Sequence, residues 1–280
     1  MSGRKSIRGI SQNTIFVSIR VAVLYLIISS FESRLPAQVL IWDYRSGKTL
    51  HRLKASLDSA APINTGMCMS LKMADSTSLG TPLVACGFES GHLTLHDLRR
   101  PDFALSCSAL HKEPRSFALR PFDFISSRLY QCSSHRFLAP SSLSLLFFFP
   151  TPVLSFDTLG NFSRGLSGSA DATLCCFAVD AAPAHVCIER ALDLPVAGVS
   201  CVRLRPDGAL YATAGWDHRV RLFGAKVGRA LAALKFHSAS VSVVAFPPAT
   251  LEEYAQAGTL VSASKDGKIA VWQGLYPSSK

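Results

Sequence analysis

The chain alternates short apolar strands with polar turns, and the pattern is clearest near its C-terminal end. Val241–Phe246 and Thr259–Ser264 each alternate apolar and polar residues. A turn at Lys265-Asp266-Gly267 then leads into a third short strand, Lys268–Trp272. Alternation with a period of two predicts β-strands, and an Asp-Gly turn between two such runs predicts a hairpin. This segment therefore predicts one antiparallel sheet unit.

The same unit recurs towards the N-terminus. Residues 199–223 repeat it in full, and shorter copies are found at 167–177, 83–96 and 39–43. The residues that close the third strands are Trp42, His96, Phe177, Phe223 and Trp272, at spacings of 54, 81, 46 and 49 residues. Multi-stranded units recurring every 40–50 residues or so are typical of a β-propeller. We therefore predict an all-β fold, an incomplete β-propeller with about four to five recognisable blades.

One spacing breaks the period because residues 115–152 do not follow the pattern. From Leu138 to Pro152, 13 of the 15 residues are Leu, Ser, Phe or Pro, and removing 115–152 restores a spacing of 43 residues. We interpret this insertion as a translated intron that ends in a pyrimidine-rich tract, with a genuine loop between strands as the alternative. The predicted organisation is an off-pattern N-terminal segment, a first group of blades, the insertion and the C-terminal blades, at 1–38, 39–114, 115–152 and 153–280.

Composition places the chain among globular proteins and changes how its charge is interpreted. It has 280 residues, of which 48% are hydrophobic and 17% charged, which excludes a disordered protein. The formal net charge of +10 would favour a nucleic-acid partner if it were clustered on the folded surface. Residues 1–38 contribute +4 and residues 115–152 contribute +3, which leaves +3 for the predicted blades. We therefore predict no direct binding of nucleic acid.

The N-terminal segment has the outline of a secretory signal. Arg4, Lys5 and Arg8 precede an apolar run at Val21–Ile28. That run is too short to span a bilayer. The sequence leaves open whether residues 15–29 act as a signal or anchor, and hence whether the protein is secreted. We expect no membrane association.

The sequence contains no recognised catalytic or metal-binding motif. None of the eight cysteines forms a C-x-x-C pair, which predicts reduced, buried thiols. Phosphate-binding loops, the G-x-S-x-G nucleophile motif and the H-E-x-x-H motif are all missing from the sequence. The histidines at 51, 92, 185 and 218 are isolated, without metal-spaced partners. We therefore predict no catalytic residues, no cofactor and no metal site.

A recurring set of polar residues has a structural interpretation. His237, Ser262, Asp266 and Trp272 stand at positions where the Asp accepts a hydrogen bond from the imidazole, the imidazole bonds the Ser hydroxyl, and that hydroxyl accepts the indole N–H. Residues at related positions in earlier units are His111, Ser167, Asp171, Thr213 and Asp217. A catalytic site is built once, whereas a device that holds a repeat together recurs. We therefore predict a structural role for these residues.

The C-terminal blades resemble a known family. The set His237, Ser262, Asp266 and Trp272 resembles the hydrogen-bond tetrad of WD40 repeats. Residues 210–223, 234–246 and 264–277 closely resemble blades of the WD40-repeat family of guanine nucleotide-binding protein subunit beta-like protein 1, whose fungal counterpart is ASTRA-associated protein 1. The resemblance extends over 39–114 and 153–280. It implies a propeller of about seven blades, so we expect the N-terminal blades to be missing from this chain.

The resemblance also implies a function. It implies a non-enzymatic scaffold for protein–protein interaction, in the nucleus and cytoplasm, that acts in chromatin regulation and in maturation of phosphatidylinositol-3-kinase-related kinases. The implied partners are ASTRA and Tel2–Tti co-chaperone components. A G-protein-beta-like signalling scaffold is the alternative. The sequence does not determine the oligomeric state, the partners or the binding face.

Overall fold

In a computed structural model of the protein, the backbone is described at residues 14–19, 25–30, 38–43, 46, 48–54, 65–76, 81–102, 104–111, 151–159, 162–181, 184–225, 228–248, 251 and 258–276. Throughout these ranges the regular secondary structure consists of β-strands, and no helix occurs. The prediction of an all-β fold is therefore confirmed.

Nineteen strands lie within the described residues. In chain order they are β1 (Thr14–Ile19), β2 (Tyr25–Ser30), β3 (Gln38–Asp43), β4 (Lys48–Leu53), β5 (Cys68–Ser76), β6 (Thr81–Phe88), β7 (His92–Asp97), β8 (Ser106–Ala109), β9 (Val153–Thr158), β10 (Arg164–Ser169), β11 (Thr173–Ala181), β12 (Ala184–Asp193), β13 (Val199–Leu204), β14 (Leu210–Gly215), β15 (Arg219–Gly224), β16 (Ala230–Lys235), β17 (Val241–Ala245), β18 (Leu260–Ser264) and β19 (Ile269–Trp272).

The strands form five antiparallel sheets that follow the chain in order. Strands β1–β4, β5–β8, β9–β12 and β13–β16 make four sheets of four strands, and β17–β19 make a sheet of three. In every sheet each strand pairs with its neighbour in sequence. Neighbouring sheets contact one another through their first strands, as β5 does with β9, β9 with β13 and β13 with β17. This is the arrangement of blades in a β-propeller, and we call the sheets the first to fifth blades.

Apolar side chains fill the spaces between neighbouring blades. Four clusters of buried residues lie between the five blades, one for each neighbouring pair. From the first interface to the fourth, representative buried pairs are Ile41 and Val84, Leu95 and Phe177, Leu166 and Tyr211, and Val220 and Val244. Burying one such aliphatic or aromatic side chain contributes about 1.5–3 kcal/mol relative to exposing it. The packing between blades therefore holds the propeller together.

Strands of the inner blades are buried on both faces, which explains their apolar runs. In β13, Cys201 packs towards the fifth blade, whereas the adjacent Val202 packs towards the third. Successive side chains of a strand point to opposite faces, so both faces of this blade meet a neighbour. Strand β14 is accordingly buried along its whole length.

The N-terminal segment contains strands that the sequence analysis did not predict. Residues 1–38 were expected to lie outside the repeat pattern, yet β1 and β2 fall within them, and β2 pairs with β3 over Tyr25–Ser30. A short apolar run bounded by polar residues fits a strand as well as a signal sequence, and periodicity alone does not distinguish the two. No helix in the described part of the chain is long and apolar enough to cross a membrane.

The insertion predicted at 115–152 lies outside the described residues except at its end. Residues 112–150 are not described, so the intron hypothesis stays a prediction. Thr151, the penultimate residue of the predicted insertion, donates a hydrogen bond from its hydroxyl to the Asp171 carboxylate at 2.8 Å. Thr151 therefore belongs to the third blade, and the pattern resumes slightly earlier than predicted.

The fifth blade leaves apolar side chains exposed on the face turned away from the fourth. Ala270 is buried, but its strand neighbours Ile269 and Val271 are 70% and 61% exposed. Val243 of β17 is also exposed. Strand β19 ends the sheet, and none of the described strands pairs with its outer edge. Exposed apolar faces and unpaired strand edges promote self-association.

We expect lysine on this face to reduce self-association. The double substitution Ile269→Lys and Val271→Lys places two charges beside the open edge without removing a buried contact. In dynamic light scattering, the growth of particle size with protein concentration should therefore be smaller than in the wild type. The melting temperature should stay unchanged. The control is Leu251→Lys, which adds one charge at an exposed residue outside the sheet. Equal reduction by the control would contradict a role for this face.

Candidate functional site

The fifth blade brings its four predicted residues into one hydrogen-bonded cluster. The Nε2 atom of His237 lies 2.8 Å from the Ser262 hydroxyl, and its Nδ1 atom lies 3.3 Å from the Asp266 carboxylate. The indole N–H of Trp272 donates to the same Ser262 hydroxyl at 2.9 Å. The cluster joins the loop before β17, strand β18, the β18–β19 turn and the end of β19.

The Asp266 carboxylate ties the loop to the turn through backbone donors as well. It accepts hydrogen bonds from the backbone N–H groups of Ser238 at 2.9 Å and Lys268 at 3.0 Å. Burial alone would raise the pKa of Asp266, but these donors and His237 outweigh it and hold the pKa well below its usual range. Asp266 is therefore ionised at neutral pH and fixes both segments of backbone.

A second cluster joins the second and third blades. His111 follows the last strand of the second blade, and its Nε2 atom lies 3.0 Å from the Ser167 hydroxyl on β10. Its Nδ1 atom lies 3.1 Å from Asp171 in the β10–β11 turn. Asp171 also accepts from the Thr173 backbone N–H at 2.9 Å. Burial opposes ionisation of Asp171, but the hydrogen bonds from His111 and Thr173 outweigh it and lower its pKa.

The fourth blade places the related residues differently. Thr213 is buried on β14, but Asp217 in the following turn contacts Arg221 instead of a histidine. The Arg221 Nη1 atom donates to Asp217 at 3.0 Å. Burial would raise the pKa of Asp217, but the guanidinium of Arg221 outweighs it and lowers the pKa. The turn is held by an ion pair within its own hairpin.

In the second blade, His96 occupies the position that Trp272 has in the fifth. Its side chain is buried, and Nε2 lies 2.8 Å from the hydroxyl of Thr94, which stands where the fifth blade has Ala270. Its Nδ1 atom has no hydrogen-bond partner within the described residues. Burial lowers the pKa of His96 to about 4.

We expect His96 to make the protein less stable as the pH falls from 6.5 towards 4. In the unfolded chain this histidine has the usual pKa of about 6.5 and becomes protonated in this range, whereas in the folded protein His96 stays neutral. The free energy of unfolding should fall by about 2 kcal/mol between pH 7.5 and pH 5 because of this residue. Urea unfolding at both pH values measures the loss.

The variant His96→Phe should remove most of this pH dependence, since Phe177 and Phe223 occupy the same position in the next two blades. His218→Gln, at an exposed histidine, is the control and should keep the pH dependence of the wild type. An unchanged pH dependence in His96→Phe would contradict the assignment.

Burial determines what the Ser–His–Asp clusters can do chemically. Ser167 is 0% exposed and Ser262 is 1% exposed, so neither hydroxyl meets solvent. The Ser262 hydroxyl also accepts the indole N–H, which occupies a lone pair that a nucleophile would use. A nucleophile has to reach its substrate, whereas a cross-link between segments does not. The clusters suit the second role.

The structure also brings together a set of residues that the sequence did not predict. Asp180, His185 and Cys187 lie on the β11–β12 hairpin with their polar side-chain atoms within 4.8 Å of one another. The prediction that His185 has no metal-spaced partner is therefore wrong, because Cys187 lies two residues away on the same strand. The overlooked signal is the His-x-Cys spacing, which on a strand puts both side chains on one face.

Comparison with known proteins agrees with this geometry. The family model "WD domain, G-beta repeat" matches residues 193–223 and 228–273. These two stretches of the chain therefore contain WD40 repeats. The matched ranges contain β13–β19 except for Gly224, the last residue of β15. The WD40 match therefore covers the fourth and fifth blades and includes the cluster of His237, Ser262, Asp266 and Trp272.

Several curated relatives align with a larger part of the chain. Guanine nucleotide-binding protein subunit beta-like protein 1 of Mus musculus is 30% identical over 242 residues, covering 86% of this chain and 57% of that protein. ASTRA-associated protein 1 of Aspergillus niger is 31% identical, covering 66% of this chain and 38% of that protein. ASTRA-associated protein 1 of Schizosaccharomyces pombe is 27% identical, covering 82% and 53%. The chain therefore spans between 38% and 57% of the length of these relatives.

Proposed function

We propose that the chain is a non-enzymatic scaffold of ASTRA type, which binds other proteins through the loops of its propeller. The observation that carries this proposal is the recurrence of the buried Ser–His–Asp cluster in two blades, at His111 and at His237. A recurring, solvent-excluded cluster supports a role in fixing loops. Rigidly held loops on a stable frame are suited to recognising partners.

The loops at one end of the propeller support protein binding. Trp216, in the β14–β15 turn, is 44% exposed. The Trp216 backbone N–H donates to the Gly198 carbonyl at 3.0 Å, and the Trp216 carbonyl accepts from the Ser240 hydroxyl at 3.2 Å. These bonds join the loops before β13, β15 and β17. The Trp216 ring therefore projects from a fixed platform.

The contact with Gly198 fixes the ring as well as the backbone. Gly198 has a φ of +96°, and a Cβ atom there would lie 2.2 Å from the Trp216 ring. Only glycine allows the ring to lie this close to the backbone. A large aromatic side chain held in place before binding loses little entropy in a complex, and tryptophan is enriched among residues that dominate binding energy.

The partners we propose are proteins of ASTRA type and Tel2–Tti co-chaperone components, met in the nucleus and cytoplasm. Two of the relatives are named ASTRA-associated protein 1, and this name supports partners of ASTRA type. Residues 39–114 and 153–280 carry a net charge of only +3, which supports protein partners over nucleic acid. The roles in chromatin regulation and in maturation of phosphatidylinositol-3-kinase-related kinases belong to the same proposal.

Affinity purification of the tagged chain from its native cells, followed by mass spectrometry, tests the proposal. We expect the wild type to recover ASTRA-type components, and we expect Trp216→Ala to reduce their recovery by at least about tenfold. Leu105→Ala, at an exposed residue before β8, is the control and should behave like the wild type. Recovery of a γ-type subunit without ASTRA-type components would favour the G-protein-beta-like alternative. Recovery of neither would contradict the proposal.

A further inference from the structure

The outer hairpin of the third blade carries three potential metal ligands on one face. The Nδ1 atom of His185 lies 3.1 Å from the Cys187 Sγ atom, and that sulfur lies 3.5 Å from a carboxylate oxygen of Asp180. Asp180 and His185 are exposed, and Cys187 is half-buried. An ion from solvent can therefore reach all three side chains without a change in the core.

The register of the hairpin explains why they meet. Asp180 on β11 stands directly opposite His185 on β12, and Ala178 stands opposite Cys187. His185 and Cys187 are two residues apart on one strand, so their side chains project from the same face. Asp180 faces His185 directly and Cys187 diagonally, both within the reach of cross-strand side chains. The three ligands are thus placed by backbone pairing and do not depend on a flexible loop.

The distances match those of a tetrahedral zinc centre. With Zn–S of about 2.3 Å and Zn–N or Zn–O of about 2.0 Å, the edges between ligand atoms of a tetrahedron are about 3.5 Å. The two measured separations of 3.1 and 3.5 Å lie close to this value. A thiolate, an imidazole and a carboxylate are the three ligand types that zinc takes in proteins.

We propose that Asp180, His185 and Cys187 form a binding site for a divalent zinc-type ion, with a fourth position open to water or to a ligand from a bound partner. Binding replaces the thiol proton of Cys187 by the ion, and the proton passes to solvent. The imidazole binds through Nδ1 and the carboxylate through one oxygen. The site is independent of the scaffold function proposed above and lies on a different part of the molecule from Trp216.

Protection of individual cysteines from alkylation tests the site despite the eight cysteines of the chain. The reduced, full-length protein is treated with iodoacetamide with and without one equivalent of Zn²⁺, and peptide mass spectrometry gives the rate at each cysteine. We expect Zn²⁺ to slow alkylation of Cys187 by about tenfold or more, because a metal-bound thiolate is withdrawn from the free thiolate pool. Cys176 on the neighbouring strand should react at the same rate in both conditions.

Ligand variants separate a zinc site from non-specific protection. His185→Gln and Asp180→Asn should each weaken protection of Cys187 by about tenfold or more, since even outer-shell partners of metal ligands contribute about 10–100-fold to affinity. His218→Gln, at an exposed histidine elsewhere, is the control and should retain full protection. Because the side chains of Asp180 and His185 are exposed, circular dichroism of the variants should match the wild type. Unprotected Cys187 in the wild type, or full protection in His185→Gln, would overturn the proposal.

Discussion

Replacing Asp157 with alanine is expected to lower the free energy of unfolding by about 3 kcal/mol or more. Asp157 lies on β9, the first strand of the third blade, and forms an ion pair with Lys72 of the second blade. Its other oxygen accepts the Leu204 backbone N–H of the fourth blade at 2.8 Å. Asp157 thus connects three blades through one carboxylate.

Burial makes this connection costly to break. The side chains of Lys72 and Asp157 are only 18% and 15% exposed. Removing one partner of a buried ion pair leaves the other charge uncompensated, which destabilises more than the pair itself contributes. The alanine variant would also leave the Leu204 N–H without its acceptor. The first loss weakens the interface of the third blade with the second, and the other weakens its interface with the fourth, so one substitution affects both.

Urea unfolding followed by tryptophan fluorescence measures the change. Glu189→Ala is the matched control, because Glu189 pairs with Arg164 in the same blade but both side chains are well exposed. An exposed pair contributes only about 0.2–1 kcal/mol, so this variant should unfold nearly as the wild type does. A loss for Asp157→Ala no greater than that of Glu189→Ala would contradict the account of Asp157.

Replacing Asp171 with alanine is expected to lower the free energy of unfolding by about 2–3 kcal/mol. The carboxylate accepts hydrogen bonds from His111, from the Thr151 hydroxyl and from the Thr173 backbone N–H. The His111 side chain is fully buried, so the lost partner cannot be replaced by water. Because His111 follows the second blade and Asp171 belongs to the third, the variant weakens the junction between them.

The same residue predicts a direction for acid unfolding. The pKa of Asp171 is lower in the folded protein than in the unfolded chain. Its contribution is therefore complete above the unfolded pKa and is lost as the pH falls through the folded pKa. Asp171→Ala should remove this part of the acid dependence. Asp102→Ala, at an exposed turn residue, is the control and should stay within about 0.5 kcal/mol of the wild type.

The repeat made one part of the site predictable from sequence. His237, Ser262, Asp266 and Trp272 stand at fixed offsets within one unit, so their meeting depends only on local strand pairing. Asp217 shares the offset of Asp266, yet its partner Arg221 lies four residues further on. The sequence therefore predicted an aspartate at this position of both blades. It did not predict whether the aspartate contacts a histidine from another loop or an arginine from its own hairpin.

Other features depend on contacts that no local pattern reveals. Lys72 and Asp157 are 85 residues apart, and their ion pair requires the packing of two blades. Strands β1 and β2 lie in a segment whose short apolar run fits either a signal or a strand, and only the pairing of β2 with β3 distinguishes them. The register of a hairpin likewise decides that Asp180 meets His185.

A double-mutant cycle between His111 and Asp171 tests most directly the claim that the Ser–His–Asp clusters hold the blades together. Urea unfolding at pH 7 of the wild type, His111→Ala, Asp171→Ala and the double variant gives the coupling free energy between the two side chains. We predict a coupling of about 1–2 kcal/mol, because either single substitution already breaks the hydrogen bond between His111 and Asp171. The other substitution then has a smaller effect than it has in the wild type. Effects that add to within about 0.5 kcal/mol would contradict the claim.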